Sequence, residues 1–180
     1  MLIGYNAFLD DLVFQPDSFR QFEAAVQEMG EHLGFVAHRP ELEFGKGPDN
    51  LWALGNTRFS MIECKNEATA DEISKEYVDK SSGRRNWFND TYGPGCKAES
   101  VIVHPSRVVS IYASPEPGLR VLTPAKLEEL KTACRTLAMG IAQSGNFGDI
   151  PAIAKALNQL GLMGGRIVGR YSEAFVMAKA

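Results

Sequence analysis

A chain of 180 residues, 44% hydrophobic and 23% charged, is long enough to bury a core and fits one globular domain or a core with an extension. No apolar run reaches the roughly eighteen residues of a membrane span, and MLIGYNAFLDDLVF at the start carries acids where a secretory leader needs basic residues, so the expectation is a soluble, cytoplasmic protein without a membrane partner. A net charge of −3 excludes coating nucleic acid by charge alone; a nucleic-acid role would need a local basic cluster, a divalent cation offsetting acidic ligands, or a partner that delivers the substrate.

In chain order, Phe19, Phe22, Val26, Met29 and Leu33 recur at helical spacing, with Asp17 or Ser18 as cap and Gly34 just past the end, which predicts an amphipathic helix over Ser18 to Leu33. Phe35 to Phe44 alternates loosely and reads as a strand. Pro48 to Leu54 and Arg58 to Cys64 are apolar runs separated by Gly-Asn-Thr, the pattern of a β-hairpin. Thr69-Ala70-Asp71-Glu72 has capping-box spacing and predicts a helix to about Lys80, broken by Ser81-Ser82-Gly83. Arg84 to Gly93 is polar and aromatic. Val101 to Val103 and Val108 to Tyr112 read as two more strands.

Thr123-Pro124 caps a helix whose Leu127, Leu130, Cys134, Leu137 and Ile141 share one face; Pro151 to Leu160 forms another, and Tyr171 to Lys179 reads as helical. The fold class expected is α/β, a mixed central sheet flanked by helices over residues 1–120, with a helical extension over residues 121–180 packed on it. Cys64, Cys96 and Cys134 are widely spaced, form no Cys-x-x-Cys pair, and read as structural thiols.

The hairpin carries the chemistry. Facing residue numbers across a two-stranded antiparallel pair sum to a constant set by the turn, so a turn centred near Asn56 puts Asp49 opposite residues 62 to 64. Glu63 and Lys65 share one strand face while Cys64 points into the packing. Two acids and an ammonium thus converge at one end of the sheet. Hydrolysis of a phosphodiester needs a hard cation to polarise the phosphoryl oxygen and supply hydroxide near neutral pH. Magnesium is held by one or two carboxylates plus substrate phosphate, which fits Asp49 and Glu63, and Lys65 beside them orients the attacking water and stabilises developing charge.

Gly47-Pro48-Asp49 followed by Glu63-Cys64-Lys65 resembles the signature of the PD-(D/E)XK, or restriction-endonuclease-like, nuclease superfamily. The resemblance covers roughly Phe19 to Pro105, because that family places a helix before the hairpin and a helix and strand after it. It implies a restriction-endonuclease-like core acting on DNA with Mg2+, for which Mn2+ substitutes, and products ending in 5′-phosphate. It implies Asp49, Glu63 and the Cys64 backbone carbonyl as metal ligands, and Lys65 as catalytic group. Glu23 matches the place of a further helix glutamate, although helix faces carry glutamates routinely. Relatives often show a glutamine early in the helix after the second motif; Asp79-Lys80 stands there, so no such role transfers. The chain is also similar to nuclease domains attached to helicase-type proteins, which implies a helicase-type or other defence or repair protein as partner. Self-association is left open.

Lys75, Arg84, Arg85 and Lys97, interleaved with Trp87, Phe88 and Tyr92, are the candidate phosphate contacts, with Trp87 assigned to packing. Glu41 and Glu43 read as solvated charges and His104 as a structural strand-end histidine. Gly45-Lys46-Gly47 lacks the Ser/Thr and helix of a phosphate loop and reads as the turn that delivers Asp49. No local signature of a Ser-His-Asp arrangement occurs. The alternative to a nuclease is a non-catalytic nucleic-acid-binding or protein-interaction module on the same fold.

Overall fold

The structure, a computed structural model, describes residues 7–145 and 147–179, so the first six residues of the N-terminal stretch and Ala180 of the tail lie outside it. After a helical turn at residues 7–10, helix α1 spans Phe19–His32 and buries Phe22, Ala25, Val26 and Met29 on one stripe. Ser18 occupies the cap position, yet its hydroxyl does not cap. The free N–H groups of Ser18 and Phe19 instead donate to Glu67 Oε1 at 2.7 and 2.9 Å.

Strand β1 is only Val36–His38. The longer strand expected to Phe44 is cut because Pro40, which lacks an N–H, opens a short helix α2, Pro40–Phe44, closed by Gly45 at φ +69°. The hairpin forms as expected. Strands β2, Asn50–Gly55, and β3, Arg58–Cys64, pair antiparallel with Asn50 opposite Ile62 and Leu51 opposite Met61. Asn56 and Thr57 at the turn both take positive φ, the twist that matches a tight hairpin.

The next helix begins later and runs further than its sequence pattern suggests. Residues 69–72 are not helical; Ile73 bridges to Val109, and the Ser74 hydroxyl accepts from the Tyr77 N–H at 3.3 Å to start α3, Lys75–Tyr92. It passes through Ser81-Ser82-Gly83 without a break. Val78, Ser81 and Phe88 bury on its sheet-facing side, and that burial outweighs the roughly 1 kcal/mol that Gly83 costs in a helix.

Strand β4, Lys97–Val103, runs parallel to β3, and β5, Val108–Val109, leaves the main sheet. The strand expected to Tyr112 therefore stops short. A strand that the sequence reading omits, β6 at Arg120–Leu122, joins parallel to β4. Helices α4, Pro124–Ser144, α5, Ile150–Leu160, and α6, Arg166–Tyr171, follow. The helix expected over Tyr171 to Lys179 is replaced by strands β7, Glu173–Ala174, and β8, Val176–Met177. Arg120 binds the Ser172 carbonyl at 2.5 Å and Thr123 Oγ1 donates to Glu173 Oε2 at 2.8 Å, contacts that hold this segment extended against β6.

The result is an α/β fold with a mixed six-stranded sheet in the order β1-β2-β3-β4-β6-β7, beside a two-stranded β5-β8 sheet. Trp52, Ile62, Cys64, Val101, Val103 and Leu122 face α1, α4 and α6 in the larger core. Leu51, Met61, Ile102 and Val121 belong to two smaller clusters on the opposite face, which α3 covers with Val78 and Phe88. Alternation along β3 puts Glu63 on the α3 side. Among the described residues no helix is long and apolar enough to cross a membrane.

Candidate active site

Extending the β2–β3 register one step beyond Asn50 and Ile62 sets Asp49 opposite Glu63. Both are buried, at 7% and 3% exposure, where unpaired charge is expensive. Asp49 Oδ2 accepts the Cys64 backbone N–H at 2.6 Å, which locks its carboxylate against the end of β3. Lys65 follows directly. Its Nζ stands 3.6 Å from Asp49 Oδ2 and 3.7 Å from Glu63 Oε2, donates to the Cys64 carbonyl at 3.1 Å, and lies 5.7 Å from the centre of the Tyr77 ring. Cys64 points the other way into the core, and burial raises its thiol well above the usual range.

Three helices outside the hairpin complete the cluster. Arg84 of α3 reaches Glu63 Oε1 through Nε at 3.1 Å and Glu41 Oε2 through Nη2 at 2.7 Å. Glu23 of α1 pairs with Arg39, and the Glu23 carbonyl accepts from Asn50 Nδ2 at 3.0 Å, tying α1 to the strand that Asp49 precedes. Four carboxylates thus surround Lys65, Arg39 and Arg84.

Burial, followed by repulsion from Asp49, pushes Glu63 up to about 7 despite its cationic neighbours. Burial and Asp49 likewise raise Glu23, and burial with a hydrogen bond to Asp49 raises Glu41. Burial would lower Lys65, but the charges of Asp49 and Glu63 reverse this and hold its ammonium more firmly.

This donor set fits a hard divalent cation. Glu63 Oε2 is buried without a hydrogen-bond partner, Lys65 being too distant to supply one, and it belongs to a carboxylate facing Asp49. An orphaned anionic oxygen beside a second carboxylate and a carbonyl is what Mg2+ or Mn2+ takes as ligands. Among the described residues no three His, Cys, Asp or Glu side chains converge as a ligand set, so an ion here would rest on Asp49, Glu63, the Cys64 carbonyl and water.

Of the residues singled out in the sequence, Asp49, Glu63, Lys65 and Glu23 come together, and Arg84 joins them as a carboxylate partner. Arg85 reaches instead to β4 and the loop after β5, where it binds Ser100 Oγ at 3.0 Å, the Ala98 carbonyl and Glu116 Oε2 at 2.8 Å. Lys97 starts β4 opposite Arg58, about 20 Å along the strand from the end that carries the site. Lys75 lies at the start of α3, two residues before Tyr77.

His104 is fully buried with Nδ1 accepting the Ser106 N–H at 3.0 Å, and burial lowers its pKa. Trp87 packs over Gly47, whose φ of +100° and 2.7 Å approach of a would-be Cβ to Pro40 leave no room for a side chain.

Glu41 was not expected here. Glu43 accepts the Arg39 N–H at 2.9 Å, whereas Glu41, although its side chain is exposed, turns its carboxylate to Arg84 at the rim of the cluster. A signal was present: Pro40 and Gly45 are start and stop residues of a single helical turn placed just before the loop to Asp49. Tyr77 had no such local mark. In comparisons with known proteins, no family model, no curated protein and no solved structure matches this chain.

Proposed function

We propose that this chain is a magnesium-dependent nuclease of the PD-(D/E)XK type, hydrolysing DNA phosphodiester bonds on a restriction-endonuclease-like core. The observation that carries the reading is the ammonium of Lys65 within 4 Å of two carboxylates, Asp49 just before β2 and Glu63 on β3. The element order supports it too: a helix, a hairpin, a helix and a strand parallel to the second hairpin strand.

Asp49, Glu63 and the Cys64 carbonyl are the groups that would hold Mg2+, with Mn2+ able to substitute. A divalent ion there supplies a Lewis acid for the phosphoryl oxygen and lowers the pKa of water. Lys65 is read as an ammonium, its ordinary form near neutral pH, which the charges of Asp49 and Glu63 reinforce in the metal-free protein. An ammonium only donates hydrogen bonds, so Lys65 acts by holding the attacking water through its oxygen and neutralising charge on the phosphate, not as a base. With a net charge of −3 the chain has little general attraction for DNA, which favours delivery by a helicase-type or other repair or defence partner.

Incubation of the purified protein with plasmid and with linear DNA, in Mg2+, in Mn2+ and then in excess chelator, tests the proposal. Cleavage that requires the metal and stops with chelator is expected. Wild-type protein that stays inert across metals would favour a non-catalytic binding module.

A further inference from the structure

Glu63 Oε1 and Oε2 have different surroundings. Oε1 accepts from Arg84 Nε at 3.1 Å, while Oε2 makes no hydrogen bond and stands 3.7 Å from Lys65 Nζ, on the side of Asp49. The terminal torsion of a glutamate is soft, so a carboxylate does not keep one oxygen turned toward a site without an outside restraint. Arg84 supplies one. Its Nε and Nη2 lie in one rigid plane and engage two different acids, Glu63 on β3 and Glu41 on α2. Glu41 is itself anchored, its backbone N–H donating to the Pro48 carbonyl at 3.3 Å beside Asp49. The guanidinium therefore joins three elements at the point where the two acids meet.

Building on the nuclease reading above, we propose that Arg84 is a positioning residue for Glu63, holding Oε2 toward Asp49 and Lys65 for a divalent cation, and is not a contact for substrate phosphate. A surface phosphate contact would gain from exposed, uncommitted donors, whereas this side chain is largely covered and two of its donors already serve carboxylates. Lysine at this position would keep the positive charge without the fork, so charge and geometry are separable.

The test titrates metal-free protein with Mn2+ alone by calorimetry, comparing wild type, Arg84→Lys and Arg84→Ala, with affinity for a labelled duplex measured separately in chelator. Both variants are expected to bind Mn2+ about ten- to a hundredfold more weakly, the usual effect of losing a group that orients a metal ligand, with DNA affinity unchanged. Wild-type Mn2+ affinity in Arg84→Lys, or a loss of DNA affinity with a salt slope smaller by about one charge, would overturn the assignment. If Arg84→Lys fails to fold, Glu41→Gln perturbs the other arm and carries the same comparison. Absence of Mn2+ binding in the wild type would remove the nuclease reading together with this role, whereas normal wild-type binding with unaffected variants removes this role alone.

Discussion

Asp49 and Glu63 face each other at the open end of the β2–β3 pair, and the oxygens they turn toward Lys65 stand 3.6 and 3.7 Å from one ammonium nitrogen. Two buried acids at such proximity repel, and Lys65, Arg84, an added cation or a proton on Glu63 offsets that repulsion.

Removing the ammonium tests its role in the chemistry. Lys65→Ala is expected to lower single-turnover cleavage by about 10²- to 10³-fold, the range for losing one preorganised electrostatic group, while DNA affinity stays close to wild type. Lys65→Arg should not restore the rate, because a planar fork cannot occupy the place of a compact ammonium. Wild-type cleavage by the alanine variant would defeat the mechanism.

Glu63 also makes a prediction about stability without metal. Its folded-state value of about 7 lies above the ordinary 4.5, so between these values the native state keeps a proton that the unfolded chain has released. Stability must then fall as pH rises from about 4.5 to about 7, by up to about 3 kcal/mol, with Glu23 and Glu41 adding the same sign. Urea unfolding in chelator across that range should show the decline, and Glu63→Gln should remove most of it. A wild-type stability that rises over this interval would contradict the electrostatics described.

Asp49 has a structural duty separable from its charge. Asp49→Asn keeps an acceptor for the Cys64 N–H and is expected to abolish metal binding while leaving the metal-free protein folded. Asp49→Ala orphans that buried N–H and should destabilise by about 1–3 kcal/mol relative to the asparagine variant. Equal denaturant midpoints for the two would show that the 2.6 Å bond contributes nothing.

Arg85 is expected to matter for the fold. With Glu116, Ser100 and Ala98 as partners, Arg85→Ala should lower unfolding stability by about 1–3 kcal/mol and leave DNA affinity unchanged. A variant of wild-type stability with weakened DNA binding would reverse this assignment and return Arg85 to a phosphate-contacting role.

The cluster of Asp49, Glu63 and Lys65 was legible in the sequence because a hairpin is local: a two-residue turn sets which positions face, and period-two alternation sets which side chains share a side. Glu41 and the role of Arg84 were not, since their contacts join α2, β3 and α3, whose docking no local pattern encodes. Helix α3 shows the opposite failure. Its capping-box and Ser-Ser-Gly signals are real propensities, but burial of Val78 and Phe88 against the sheet overrides them. The three-residue β6 is too short for any periodicity to register, β7 extends because Arg120 and Thr123 bind Ser172 and Glu173, and β8 because it pairs with β5.

The most direct test of a cation held between the two strands is a crystal of the protein grown with Mn2+ and measured for anomalous scattering. A peak bound by Asp49 and Glu63 Oε2 with the Cys64 carbonyl nearby is expected. A fully occupied Mn2+ elsewhere, with Lys65 still filling the gap between the two carboxylates, would contradict it.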